Sequence, residues 1–460
     1  MPVKKTNARP SQVLAWAVLA LLLLGGPALA AIPIQHWVQP SGAKVYLVES
    51  PSIPMVDFRL EFDAGGRREP AEKAGLASVT AGMTSKGITA AKGTAATPYP
   101  SALDENQLSE AWTDLGAGFG GGAGSDRMSF SLRSLTYPDL LPKAVQLAAR
   151  QLGEPAFPED VWQRERQRFA AAIREANTQP ATIAGRAYNA AVYGSHPYGY
   201  EMTEASLERI SVQDMSQMYQ LLEPCRAKVS IVGAVTRAQA DALVTTLLSR
   251  LPAAAAGRCE PRPPVAEVAP LTAPVVREIP FASAQAHVLI GQPGYKRSDP
   301  DYFALMVGNY TLGGGGLVSR LSQEVREKRG LSYAISSHFS PGLHAGAFTI
   351  SLQTRPDQAA QAVQVAKEVV AQFVANGPSA AELKAAKDYL IGGFPLLIDS
   401  NRKLLDNVAS IAWNDLPLNY LDTWVGQVQR ITAADVKAAF GRKLQPQRMV
   451  TVILGAASDR

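Results

Sequence analysis

The chain repeats itself. "KAVQLAARQL" at 143–152 is answered by "QAVQVAKEVV" at 361–370, "ISVQD" at 210–214 by "ITAAD" at 431–435, and "AKVSIVGAV" at 227–235 by "RMVTVILGA" at 448–456. Order and spacing are kept across all three pairs. The period is about 220 residues, too long for a solenoid repeat and right for a duplicated domain. Between the copies, "LPAAAAGRCEPRPPVAEVAPLTAP" at 251–274 holds small residues and prolines with neither helical nor strand period, as a linker does. The expected organisation is a first domain over 31–250, the linker over 251–274, and a second domain over 275–460.

Each copy mixes strands with helices. "VDFRLEFD" at 56–63 alternates Val56, Phe58, Leu60 and Phe62 with Asp57, Arg59, Glu61 and Asp63, which reads as an antiparallel strand with one wet face. "MSFSLRSL" at 128–135 and "FTISLQT" at 348–354 alternate likewise, and each leads into an alanine-rich helix. Residues 159–176 read as a helix with Trp162, Phe169 and Ile173 on one stripe. A helix stops at Asn376-Gly377, and the next starts at Ser379 with Glu382 three residues on, the pattern of a capping box. Strands in one layer and helices in another give an α+β fold, built twice.

The first thirty residues set the compartment. Lys4, Lys5 and Arg9 precede the apolar run Val13–Leu24, and Ala28-Leu29-Ala30 supplies a small-residue cleavage site. The run is too short to span a bilayer, so 1–30 reads as a secretory signal cut after Ala30, and no later stretch reaches spanning length. The mature chain is expected to be periplasmic or secreted. Its removal takes three of 45 basic residues and leaves 42 against 40 acidic ones, a balance that argues against a nucleic-acid partner. Cys225 and Cys259 are an even pair in an oxidising compartment, which favours a disulfide; two unpaired thiols are the alternative.

The usual catalytic signatures are missing. The five histidines, at 36, 196, 287, 338 and 344, include no i,i+4 pair on an expected helix to grip zinc. His287, in "AHVLIG", reads as a packing residue. There is no G-x-S-x-G elbow, and the glycine runs at 117–124 and 313–316 lack the G-K-[ST] ending of a phosphate-binding loop. Both runs read as tight turns between strand and helix, with the possibility that a wide glycine loop borders a substrate groove.

Four segments, taken together, resemble the pitrilysin/insulinase family of zinc peptidases. They are "GLASVTAGMTSKG" (75–87), "GSHPYGY" (194–200), "VSIVGAV" (229–235) and "TLGGGGLVSRLSQEVREKRGLSYAISS" (311–337), in that order and spacing. The likeness is to the bacterial two-domain members related to mitochondrial processing peptidase, and it runs over essentially the whole mature chain. Catalytic members carry H-x-x-E-H on the helix beginning Gly-Leu-Ala. Here Ser78 stands at the first histidine, Ala81 at the catalytic glutamate and Gly82 at the second histidine. The third ligand in the family is a glutamate seven residues after another; if Glu165 is the earlier one, the ligand position falls on Ala172. A hydroxyl, two methyl groups and a hydrogen offer zinc no suitable donor, and the general base is gone with them. Glu165 alone on its helix reads as a solvated surface charge.

The family's second catalytic element is intact. Catalytic members need an arginine and, seven residues later, a tyrosine from the second domain, and Arg326 and Tyr333 match that spacing. Guanidinium and phenol are suitable donors to a peptide carbonyl that gains negative charge during attack. Lys328 and Arg329 fit less well and are expected to face solvent. Taken singly, Arg326 reads as a helix ion-pair residue and Tyr333 as a half-buried strand residue. The resemblance implies a metal-free subunit that pairs with a zinc-bearing sibling to degrade peptides, with Gly313, Gly314, Gly315 and Gly316 lining the substrate cavity. No cofactor is expected in this chain, since the zinc would be the partner's. The alternative is a non-catalytic structural or peptide-binding scaffold of the same family.

Overall fold

The computed structural model describes residues 32–92, 97–252 and 259–456; the expected signal segment and part of the linker lie outside the described residues. The first half contains β1 (Gln35–Val38), β2 (Lys44–Glu49), β3 (Met55–Phe62), β4 (Gly87–Ile88), β5 (Leu103–Asp104), β6 (Gly118–Ala123), β7 (Met128–Leu135) and β8 (Lys228–Gly233). The second contains β9 (Val275–Pro280), β10 (Ala286–Pro293), β11 (Ile335–Phe339), β12 (Ala347–Thr354) and β13 (Val450–Ala456). The fold is α+β, two like units in one chain.

The two sheets are copies in topology as well as sequence. The first runs β1-β2-β8-β3-β7-β6 and the second β11-β12-β10-β13-β9. Removing β1 and reversing the reading direction superimposes them: β2/β8 and β9/β13 are parallel, and every other pair is antiparallel. Repeat segments 227–235 and 448–456 become the equivalent strands β8 and β13. Period-two alternation then assigns faces. Val45, Leu47, Val56, Phe58, Leu60, Phe130, Val229 and Ile231 point into the first half's own helical core.

The other face of each sheet is closed by the opposite half. Helix Pro180–Tyr193 crosses over to bury Ala184, Tyr188 and Val192 against Ala347, Val450, Val452 and Leu454. Tyr188 fixes its depth by donating to the carbonyl of Phe348 at 2.8 Å. In return, helix Asn401–Trp413 lays Val408, Ile411 and Ala412 over Tyr46, Val48 and Val232. This corrects the expectation of a wet face on β3. Asp57 is 4% exposed and Glu61 is 0% exposed. Arg133 pairs with Asp57 at 2.6 Å, Arg127 with Glu61 at 3.1 Å, and Arg59 reaches Asp406 of the crossing helix at 2.7 Å. Alternation identifies the two faces of a strand but not what covers the polar one.

The glycine run at 117–124 is a second correction. It forms the edge strand β6, not a strand-to-helix turn. Its ladder with β7 supplies what propensity withholds, and a Cβ at Gly121 would lie 2.6 Å from the Phe130 ring. The helix stops elsewhere follow the sequence: Ser379 and Glu382 form the capping box of Ala380–Gly393. Among the described residues no helix is long and apolar enough to cross a membrane.

Cys225 and Cys259 form a disulfide with Cα atoms 5.9 Å apart, tying the linker to the entry of β8. Arginines extend the tie: Arg68 donates to Pro263 O at 2.6 Å, and Arg262 to Leu221 O at 2.6 Å and Glu223 at 3.0 Å. The bridge closes a loop with a sequence separation of 34. Replacing both cysteines by serine is expected to lower the unfolding free energy by about 3–4 kcal/mol in the chain-entropy account. Denaturant midpoints measure it, together with thiol titration of the unfolded, unreduced protein, which is expected to find no free thiol. An unchanged midpoint or two titratable thiols contradicts this.

Candidate functional site

The helix Leu76–Met83 holds the positions where a zinc motif would stand. Its start is capped from outside: the buried Glu69 carboxylate accepts from the N–H groups of Gly75 at 2.7 Å and Ala77 at 2.8 Å. Helix and edge strand then meet, with Ser78 Oγ 3.5 Å from Ala123 O. Ser78 is exposed, Ala81 is 1% exposed, Ala172 is exposed, and a Cβ at Gly82 would meet nothing within 4 Å. None of the four carries an imidazole, thiolate or carboxylate, so this donor set does not fit zinc. Among the described residues, the one group of His, Cys, Asp and Glu close enough to share an ion is Glu223, Cys225 and Cys259, whose cysteines are already bonded to each other.

Glu165 departs from its expectation. It is 6% exposed, not a solvated charge. Lys86 stands 3.4 Å from it, and Arg168 donates through Nε at 2.9 Å. A buried carboxylate needs such partners. Here they are cations of the helix itself and of the turn after the degenerate motif.

Arg326 and Tyr333 are brought together. Val325 is fully buried and anchors the helical turn Ser322–Glu327, leaving Arg326 at its rim. Gly330, with φ +60°, reverses the chain, a conformation that excludes most side chains. Leu331 N then donates to Val325 O at 2.9 Å. Ser332 is pinned by its hydroxyl to the carbonyls of Ala334 and Gln353, both at 2.7 Å. With both preceding residues tied inward, Tyr333 projects outward at 82% exposure, not half-buried on a strand. Its ring lies under the Arg326 guanidinium, 4.8 Å from Cζ to centroid. Lys328 and Arg329 both turn away to Glu324, at 2.6 and 2.7 Å.

The run 313–316 is neither a loose loop nor a strand-to-helix turn. It ends a wide helical turn, Tyr310–Gly314, that continues the helix Tyr302–Asn309. Gly313 is buried, and a Cβ there would fall 2.3 Å from Ser337 Oγ. Only Gly314 and Gly316 are exposed.

A cavity of about 910 Å³ between the halves has no counterpart in the sequence reading. β3, β6 and β7 supply Arg59, Glu61, Gly120–Ala123, Ser129 and Ser131, and the second half supplies Arg297, Tyr302, Gly342 and Trp413. Arg326 and Tyr333 do not line it. Burial pushes the Glu61 carboxyl up to about 7, against the opposing pull of Arg127, Arg59 and Lys228. Its lining comes from both halves of the chain, and no local pattern in the sequence marks it.

Two α+β units with exchanged helices, a glycine-edged sheet beside a helix whose metal-motif positions carry no zinc donor, and an outward Arg–Tyr pair define a pitrilysin-type chain. The sequence pattern of the Peptidase M16 inactive domain matches residues 209–390. The crystal structure of a peptidase M16 inactive domain from Pseudomonas fluorescens superimposes with a TM-score of 0.83 at 31% identity, covering 92% of this chain and 98% of that one. An uncharacterized zinc protease of Mycobacterium leprae is 28% identical over 61% of this chain, and the match spans 63% of that relative's length. A non-peptidase homolog of Helicobacter pylori is 23% identical over 91% of this chain and 93% of its own. The chain belongs to the M16 family, the pitrilysin/insulinase-type zinc peptidases and their inactive homologues.

The buried Glu61 makes stability pH-dependent. With its folded pKa raised from the ordinary 4.5 to about 7, the folded chain binds a proton there that the unfolded chain has released. Stability therefore falls as pH rises between those values, and the loss is complete above pH 7. Glu61→Gln, which mimics the protonated form, is expected to stabilise by about 1–3 kcal/mol at pH 8 and by little at pH 5. Denaturant unfolding at the two pH values reads the difference; equal effects at both contradict it.

Proposed function

We propose that this chain is the metal-free subunit of a periplasmic two-chain zinc peptidase. It pairs with a zinc-bearing M16 sibling and presents Arg326 and Tyr333 to the scissile carbonyl of a peptide bound there. The observation that carries the reading is the contrast within the molecule. The four metal positions have no zinc donors, while the Arg–Tyr pair is intact and Tyr333 points out of the chain. Among the described residues, the Arg326 side chain meets its neighbour Glu327, at 3.3 Å, and the Tyr333 ring. A fixed guanidinium and phenol are donors suited to an oxyanion that forms on another molecule.

The partner's zinc would supply the activated water, a role for which Ser78, Ala81, Gly82 and Ala172 carry neither ligand nor general base. Gly314 and Gly316 are exposed and available to a peptide on this half, and the open edge of β6 can take a peptide as an added strand. Export fits the disulfide, which persists in oxidising compartments. Purified alone, the chain is expected to hold no stoichiometric zinc and to cleave no peptide. Near one equivalent by elemental analysis, surviving dialysis against a weak chelator, overturns the reading of Ser78, Ala81, Gly82 and Ala172.

In dimers reconstituted with the zinc-bearing sibling, Arg326→Ala or Tyr333→Phe is expected to lower turnover of a quenched peptide by a factor of about 100 to 1000. Assembly, checked by size-exclusion chromatography, stays intact. Arg329→Ala, whose guanidinium is held by Glu324, is the control and changes little. Mutant dimers that form and cleave at the wild-type rate leave the pair a structural feature, and the scaffold reading replaces this one.

A further inference from the structure

Two buried imidazoles meet where three parts of the chain converge. His196 comes from the first half and opens the turn Pro197–Gly199. His344 comes from the second half, in the loop 340–346, and the linker passes both rings with Ala266 and Glu267. The ring centroids lie 5.1 Å apart, edge to face. Tyr198 completes the group, 4.8 Å from the His196 ring and 5.6 Å from the His344 ring. The pair belongs to neither the Arg326–Tyr333 site nor the degenerate metal helix.

Around these rings a few polar contacts clasp the halves and the linker together. Tyr198 OH donates to one Asp126 oxygen at 2.6 Å and accepts from His344 N at 3.1 Å. Leu343 N donates to the other Asp126 oxygen at 3.0 Å, and Arg67 Nε stands 3.3 Å from Asp126. From the linker, Glu267 lies 3.2 Å from His344 Nδ1 and 2.6 Å from Lys296 Nζ. Asp126, Tyr198 and Gly342 line the cavity between the halves, so the clasp forms part of its wall.

The geometry demands a neutral His196. Its Nδ1 accepts from Tyr198 N at 3.1 Å, which leaves the ring's one proton on Nε2. Nε2 turns toward the Ala266 carbonyl without completing a hydrogen bond. A second proton, on Nδ1, would set two donors against each other and break the contact that caps the turn. Burial holds His196 below its ordinary 6.5, and His344 adds to this, against the opposing pull of the Ala266 carbonyl, Glu267 and Asp126. Burial pushes the Tyr193 and Tyr198 hydroxyls up, so both stay neutral. A released imidazole takes up a proton that the buried one refuses. The contact is therefore kept above pH 6.5 and lost as pH falls below it. Glu61 acts in the opposite sense, gaining stability as pH falls from 7 to 4.5, so only a local measurement separates the two.

We propose that His196 and His344 form an acid-released latch between the two halves and the linker. While His196 is neutral, the latch holds the linker and the loop 340–346 against the first half. Protonation of His196 in mildly acidic solution breaks its contact with Tyr198 N–H, sets a cation against the His344 ring, and frees the loop and the linker. That wall of the cavity then loosens. The latch is a property of this chain by itself and does not depend on the peptidase-subunit reading.

The test is amide hydrogen exchange of the mature chain alone, read by mass spectrometry and corrected for the intrinsic rate at each pH. Fragments covering 194–200, 259–271 and 340–346 report on the latch, and those from β10 and β12 serve as the reference. Between about pH 7.5 and about pH 5.5, protection in the three latch segments is expected to fall by up to about tenfold, the limit for one proton taken up one unit below 6.5. The reference strands stay protected. His196→Asn, whose amide oxygen can accept from Tyr198 N and which does not titrate, is expected to keep its protection at both pH values. His344→Gln removes the neighbouring charge and is expected to shift the loss to lower pH, a second test that holds should His196→Asn fail to fold. Equal protection of the wild-type segments at both pH values overturns the proposal. So does a wild-type-sized loss in His196→Asn, or an equal loss in β10 and β12, which would mark a global change rather than a latch.

Discussion

Each sheet in this molecule is completed by a helix that belongs to the other half. Pro180–Tyr193 closes the outer face of the second sheet, and Asn401–Trp413 that of the first. The two helices stand at equivalent places in the repeat, so duplication and exchange together create an approximate two-fold arrangement within one chain. Burying β8 and β13 on both faces explains why "VSIVGAV" and "VTVILGA" are nearly continuous apolar runs. It also forces the charged residues of β3 inside, where Asp57, Arg59 and Glu61 survive only through partners. The cavity lies on this same face, where the crossing helix leaves the β6 and β7 end of the first sheet uncovered.

The same packing separates the two candidate sites. The donor-free helix Leu76–Met83 sits against β6 in the first half, and Arg326 with Tyr333 sits at the rim of the second. The exchanged helices pack the halves together, and Tyr333 with Arg326 against it projects outward rather than folding back on this chain. A pair presented in this way suits a reacting group on a second subunit, where fixed donors stabilise charge without reorganising.

Much of this was legible in the sequence because it was written twice or written in local chemistry. The duplication, the linker, the capping box at Ser379 and the Arg–Tyr spacing depend on residues close together in the chain. The losses at Ser78, Ala81, Gly82 and Ala172 were read through a family pattern, since a missing ligand leaves no mark of its own. What escaped was set at long range. Glu165 looked solvated until Lys86 was brought to it, and the face of β3 looked wet until the crossing helix covered it. The glycines at 118–122 looked like a turn because strand formation there depends on β7 and on the Phe130 ring, not on propensity. Arg297 on the cavity wall offered no signal at all; it is placed by Tyr302 and Tyr420, the second more than a hundred positions away in sequence.

On the proposed function, this chain carries half of an active site whose metal half is on another chain. The decisive measurement is a structure of its complex with the zinc-bearing sibling, holding an uncleaved peptide. The Arg326 guanidinium and the Tyr333 hydroxyl are expected within about 3 Å of the carbonyl oxygen next to the partner's metal. A complex assembled through another face, with both side chains in solvent and away from the peptide, would contradict it.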